Sequence, residues 1–191
     1  MKDFLELACE RYSVRKYSDR EIEDEKLEKI LKAAQVAPTG NNFQPQRVFV
    51  IKSEEGLEKI RNFTPYCFGA PIVLLICYDK SVSWKTVDGH DAGLDDAVIA
   101  TTQMMLEAYD LGIGSVWVRG YDKRVLDELF DLPENMVTVA LLPIGYPSDK
   151  SKPSPLHSRN VSMDEMVDYL LSSNIYDVNY RDILWKGNID S

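Results

Sequence analysis

The chain has 191 residues, a formal net charge of −9, 45% apolar residues and 28% charged ones, which suits one globular domain with a sizeable core. Net acidity argues against general nucleic-acid or anionic-membrane binding, which needs a broad basic surface. The longest apolar run, around Ile72 to Cys77, is strand-sized and no membrane span is expected; Met1 to Glu6 show no secretory pattern. Cys9, Cys67 and Cys77 are odd in number and lack CxxC or Cys/His spacing, so no structural metal is expected and a reducing cytoplasm is the expected compartment.

In chain order, residues 3–10 read as a short helix and residues 24–36 as an amphipathic one, with Leu27, Ile30, Leu31 and Ala34 at helical spacing. A breaker cluster, Ala37-Pro38-Thr39-Gly40, opens a loop through Asn41-Asn42-Phe43-Gln44-Pro45. Arg47 to Ile51 is a strand, and Ser53 caps a helix through Leu57 and Ile60. Ile72 to Cys77 is apolar on both faces and so a central strand. After a polar loop with Trp84, the longest helix is expected over Asp88 to Leu111, with a wide stripe that suits a core or a subunit interface. Gly112 is its C-terminal cap; Ser115 to Val118 form a third strand, Lys123 to Phe130 a helix, and Val137 to Tyr146 a fourth strand. Residues 147–160 read as an extended surface segment, and a last helix is expected over Ser162 to Leu171. The tail to Ser191 carries Tyr176, Tyr180 and Trp185, apolar groups suited to packing on something.

Four constellations carry chemistry. Arg11-Tyr12-Ser13-Val14-Arg15-Lys16-Tyr17 is basic within an acidic chain. Two arginine forks and a hydroxyl match a phosphate monoester, although such a run also reads as a solvated basic turn. The amides of Asn41, Asn42 and Gln44 present donor and acceptor together, as a flavin pyrimidine edge requires; the same residues also make ordinary turns. Gly112-Ile113-Gly114 follows a helix and precedes a strand, the reverse of a dinucleotide fingerprint, so a Rossmann reading is rejected. Gly120 admits either a close backbone approach to a flat ligand or a tight turn. Lys150, Lys152, His157 and Arg159 form a second basic cluster, read either as part of the anion site or as solvated loop charge. Phe43, Tyr66, Phe68, Trp84 and Trp117 could wall a flat pocket or pack the core, and no nucleophilic triad is visible around His90-Asp91.

Taken in this order, the motifs resemble the nitroreductase family of flavin oxidoreductases over roughly residues 4–167. The opening run resembles the family's R-x-S-x-R-x-[FY] pattern, and Ala37 to Pro45 its A-P-S-x-x-N-x-Q-P loop; Leu111 to Ser115 and Leu142 to Pro147 match two further landmarks. The resemblance implies an α+β fold with a mostly antiparallel central sheet flanked by helices, in an intertwined homodimer. It implies one FMN-binding domain over 1–191, with 172–191 as a C-terminal extension, and FMN at the subunit interface. Arg11, Ser13 and Arg15 would hold its phosphate with Arg159 and Lys152; Tyr12, Pro38 and Thr39 would lie beside it. Asn42 and Gln44 would address the pyrimidine edge, Arg119 and Gly120 would offer backbone N–H groups near N5 and O4, and residues around Phe43 would come from the partner. NADH or NADPH would reduce the flavin, and a small electron-poor acceptor, a nitroaromatic or quinone, would then reoxidise it in a ping-pong cycle. The alternatives are a relative that uses flavin without nicotinamide and a non-catalytic flavin-binding dimer. The chain departs from the pattern at Gln46, where the family often has Trp, and in a short loop from Asp79 to Gly89.

Overall fold

The computed structural model describes residues 3–167, in two compact units, one ending at Ser154 and one beginning at Pro155. The expected extension from 172 onward lies outside the described residues. The first unit contains α1 (Phe4–Glu10), α2 (Asp24–Gln35), β1 (Gln46–Ile51), α3 (Glu54–Phe63), β2 (Ile72–Asp79), α4 (Gly93–Asp110), β3 (Gly114–Ser115), α5 (Lys123–Leu129) and β4 (Met136–Gly145). In the second unit, α6 (Met163–Met166) opens with a capping box between Ser162 and Glu165. It is shorter than the expected 162–171 because the backbone is already extended at Val167.

The strands form one antiparallel sheet in the order β1-β2-β4-β3, flanked by helices, as the α+β expectation had it. β2 is buried along its whole length, which explains its continuous apolar run. Its alternation supplies two cores. Ile72, Leu74 and Ile76 meet Leu27 and Ile30 of α2 and Ala97, Ala100 and Met104 of α4. Val73, Leu75 and Cys77 meet Leu57 and Ile60 of α3 and Leu126 of α5. Each such large side chain contributes about 1.5–3 kcal/mol when fully buried. The Ser53 side chain accepts the Gly56 N–H and starts α3 as expected.

Two elements differ from expectation. α4 begins at Gly93 rather than near Asp88. Thr86 and His90 close a turn in which the Thr86 hydroxyl accepts the His90 N–H at 2.9 Å, and side chains that bond nearby backbone in this way compete with a helix. The third strand is regular only at Gly114–Ser115. Beyond it, Val116 N–H reaches Pro143 O at 3.3 Å, but Pro143 has no N–H to return, so the ladder lapses until Val118 and Leu141 pair.

Tyr146, just past β4, ties the sheet to α2 and α4. Its hydroxyl donates to Glu23 Oε2 at 2.6 Å and accepts from Lys26 Nζ at 2.8 Å, while Lys26 also donates to Leu111 O at 2.9 Å. Chiefly because of the Tyr146 bond, the Glu23 carboxyl is lowered from 4.5 to about 2. Tyr146→Phe should lower the urea midpoint, since it removes one bond from Glu23 and one from Lys26. A carboxyl depressed in the folded state favours folding above its unfolded value, and that contribution fades as pH falls from 4.5 toward about 2. Over that window the acid dependence of stability should be shallower in Tyr146→Phe than in wild type; identical slopes would detach Tyr146 from Glu23.

Candidate functional site

The basic run is not a helical turn. Its backbone is extended, Ser13 bridging Ser115 in parallel and Tyr17 bridging Pro147 in antiparallel fashion. Val14 N–H donates to Ser115 O at 3.0 Å, Ser18 N–H to Tyr146 O at 2.9 Å, and Ser148 N–H to Lys16 O at 3.0 Å. Extended backbone alternates its side chains, so Val14 is fully buried and Arg15 exposed. Tyr17 donates to Val14 O at 3.0 Å and Pro143 O at 3.2 Å, and burial pushes its phenol up, keeping it a neutral donor.

Two glycines allow this seating. Gly112, at φ +76°, closes α4 with a Schellman pair: Ile113 N–H bonds Ala108 O at 2.7 Å and Gly112 N–H bonds Tyr109 O at 3.0 Å. At Gly114, a Cβ would come within 2.5 Å of Val14 Cγ2. The glycine pair therefore aims and admits the basic run rather than forming a phosphate loop of its own.

The run and the second basic cluster meet. Ser13, Arg15, Lys16, Lys150, Ser151 and Lys152 line a hollow of about 270 Å³, and no carboxylate is among its lining residues. Ser13, Arg15 and Lys152 were expected to hold the phosphate; Lys16 was read within the basic run and Lys150 within the second basic cluster, and Ser151 was missed. What brings them together is the antiparallel course of residues 16–18 against 146–148, which the sequence does not show. Arg11 is not one of the lining residues, but its Nη1 is buried without a hydrogen-bond partner. Tyr12 turns to the other side, lining a separate cavity with Leu7 and Ile113 and donating to Ser151 Oγ at 3.2 Å. Arg159 belongs to the second unit.

Arg15 also lines a flat pocket of about 210 Å³ with Tyr66, Phe68, Trp117, Arg119 and Gly120. Thr64 Oγ1 accepts the Tyr66 N–H at 3.3 Å, and Phe68 sits in the left-handed region at φ +54°. That conformation costs a bulky residue about 1–3 kcal/mol. The Tyr66 ring edge lies 3.3 Å from where a Gly120 Cβ would be, so Gly120 leaves its backbone bare beside the ring. Phe43 and Trp84 are not among the pocket's lining residues: Phe43 is exposed, and Trp84 lies under Gly40.

The amide loop is strained. Asn41, Asn42 and Gln44 have φ of 48°, 59° and 52°. Left-handed backbone costs an L-residue about 1–2 kcal/mol, less for Asn, so the surroundings must hold it. Thr39 Oγ1 accepts Gln44 N–H at 3.1 Å, Asp96 Oδ1 accepts Gly40 N–H at 2.8 Å, and Arg47 donates to Gln44 O at 2.9 Å. Pro38, Asn42 and Gln44 remain exposed and Thr39 half-buried. Neither hollow is lined by Asn42 or Gln44. His90 faces Asp95 at 3.0 Å rather than Asp91, which pairs with Lys85. Among the described residues there is no cluster of three potential metal ligands and no helix long and apolar enough to cross a membrane.

The model described as Nitroreductase family matches residues 8–65 and 64–146. A protein of Archaeoglobus fulgidus, provisionally named an NADH dehydrogenase/NAD(P)H nitroreductase, is 37% identical over 159 residues, 78% of this chain and 88% of its own length. A crystal structure of a nitroreductase family protein from Clostridium difficile 630 aligns with TM-score 0.82 and 40% identity over 88% of this chain and 98% of that one. An oxidised iodotyrosine deiodinase, solved with FMN and 3-iodo-L-tyrosine, aligns with TM-score 0.73 and 25% identity over 88% of this chain and 100% of that one.

The seat of the basic run is testable without a ligand. Gly114→Ala should cost about 1–3 kcal/mol by overpacking, read from urea denaturation. Val14→Ala in the same chain should return part of that loss, a non-additivity that separate sites lack. A strictly additive pair would show that Val14 does not press on Gly114.

Proposed function

The chain belongs to the nitroreductase family, and from that premise we propose that it is an FMN-dependent oxidoreductase, drawing electrons from NADH or NADPH and passing them to small electron-poor acceptors such as nitroaromatics or quinones. The observation that carries this reading is the double position of Arg15, which lines both an anion hollow and a flat aromatic pocket. A phosphate group joined to a planar ring is the ligand those two hollows describe together. The group fits the residues present: the hollow supplies cations and hydroxyls, and Arg11 has a buried N–H without a partner.

Ser13, Arg15, Lys16, Lys150 and Lys152 would hold the phosphate, with Arg11 as a further candidate. Tyr66, Phe68 and Trp117 would flank the ring, and the backbone at Arg119-Gly120 would donate to its edge. When bound, FMN supplies two-electron hydride chemistry that side chains lack. The residues' part is orientation and charge: Arg15 and Arg119 are among the residues that line the pocket, so their positive charge would favour negative charge arising there. The aromatic walls would cover one side of the ring. No side chain is required as acid or base.

A homodimer belongs to the same reading. α4 leaves Val98 and Ile99 exposed, and Leu106 of the same helix lines a groove of about 720 Å³ with Phe4 and Val36. A second copy covering these residues would also bring its Asn42 and Gln44 to the hollow that lacks them. The deiodinase relative supports a second reading, flavin-dependent dehalogenation without nicotinamide turnover.

Purified protein should be yellow and bleached by NADH or NADPH, with turnover when an acceptor is added. Colourless protein that refuses added FMN would refute the flavin reading, whereas bound flavin inert to both nicotinamides would favour the second. Arg15→Ala should weaken FMN binding at least tenfold in a fluorescence titration, since it removes a fork from both hollows.

A further inference from the structure

Asp96 is a buried carboxylate to which the oxidoreductase reading gives no task. It lies in the first turn of α4 with 3% of its surface exposed. One oxygen, Oδ1, accepts the Gly40 N–H at 2.8 Å; the other, Oδ2, is buried without a partner. A half-satisfied buried carboxylate is a poor device for holding a core together, since desolvation opposes it and one apolar side chain would serve better. What it holds is the first residue of the turn Gly40–Asn42, the start of the left-handed stretch.

The other side of Gly40 is fixed as well. A Cβ there would lie 2.8 Å from Trp84 Cε3, and Trp84 O accepts the Ala92 N–H at 3.0 Å, just before α4 begins. Gly40 is thus held between an indole face and a carboxylate, both anchored to the start of α4. From that fixed point the chain runs through Asn42 N–H to Thr39 O at 3.0 Å and Phe43 N–H to Gly40 O at 3.0 Å, then to Gln44.

We propose that Asp96 is a positioning residue, which pins Gly40 so that Asn42 and Gln44 are presented in their strained conformation to the flavin edge. The proposal rests on the flavin reading above. Asp96 touches neither cofactor nor substrate; it acts through the backbone of the loop. The strain is accepted in the free protein so that the loop backbone needs no reordering when the ligand arrives.

The test uses wild type, Asp96→Ala and Asp96→Asn, with two readouts: hydrogen–deuterium exchange of the 39–44 backbone in the flavin-free protein, and FMN titration. Asp96→Ala should raise exchange at Gly40 at least tenfold and weaken FMN binding at least tenfold. Asp96→Asn, which keeps an acceptor oxygen in place, should stay within threefold of wild type in both. In a Gln44→Ala background, Asp96→Ala should weaken binding further by less than threefold, because the two act through one loop. Should Asp96→Ala fail to fold, Asp96→Ser carries the same measurements. If wild type binds FMN and Asp96→Ala binds it equally well, the proposal falls. If wild type binds no FMN, the flavin reading falls instead, and unchanged exchange in Asp96→Ala would remove the clamp as well.

Discussion

Val14 is fully buried against Gly114, where even one added carbon would sit 2.5 Å from its methyl. That fit makes the basic run an extended strand rather than a tail. Once Val14 is seated, alternation sends Arg15 outward, and the bonds to Ser115 and Tyr146 fix its height on the sheet. The run then lies against residues 146–148, which brings Lys150 and Lys152 into the same hollow. Charge repulsion among four cations opposes this arrangement. It is held by apolar contact and backbone bonds, which carry no net charge and are not screened by salt.

The two halves of the candidate site work by different physics. The hollow around Ser13 and Lys152 attracts: its force is long-ranged, weakened by ionic strength, and not demanding in angle. The loop through Asn42 and Gln44 selects: hydrogen-bond geometry is short-ranged and directional, and its backbone is held in a conformation it would not choose in solution. A ligand with a dianionic end and a patterned planar end uses both, affinity coming mostly from one and orientation from the other.

The sequence made the sheet legible through β2, whose unbroken apolar run marks it as central, and through Ser53, whose cap needs only local residues. The cations Arg15 and Lys152 were legible as composition, because charge stands out in an acidic chain. The meeting of the two clusters was not, because it depends on a pairing between segments some 130 residues apart, for which no local pattern exists. The start of α4 was misplaced because the segment from Asp88 was read as helix, whereas the Thr86 side chain closes a turn over His90. Asp96 was invisible for a related reason: an acid in a helix's first turn is ordinary, and nothing local tells that its partner is Gly40.

α4 governs both halves, one from each end. Its first turn carries Asp96, which holds the amide loop, and its last turn leads through Gly112 to Gly114, which admits the basic run. From Asp96 to Asp110 the helix rises by about 21 Å at 1.5 Å per residue. The loop anchor and the glycine turn that admits the basic run therefore lie at opposite ends of one rod. A second α4 laid antiparallel against the exposed Val98 and Ile99 would place the start of one helix beside the end of the other. Burial of that apolar side and completion of the site would then be one event. On the proposed dimer, a dilute monomer would lose flavin before it lost its fold, because each chain would keep its own sheet and core but hold only part of the contacts to the cofactor.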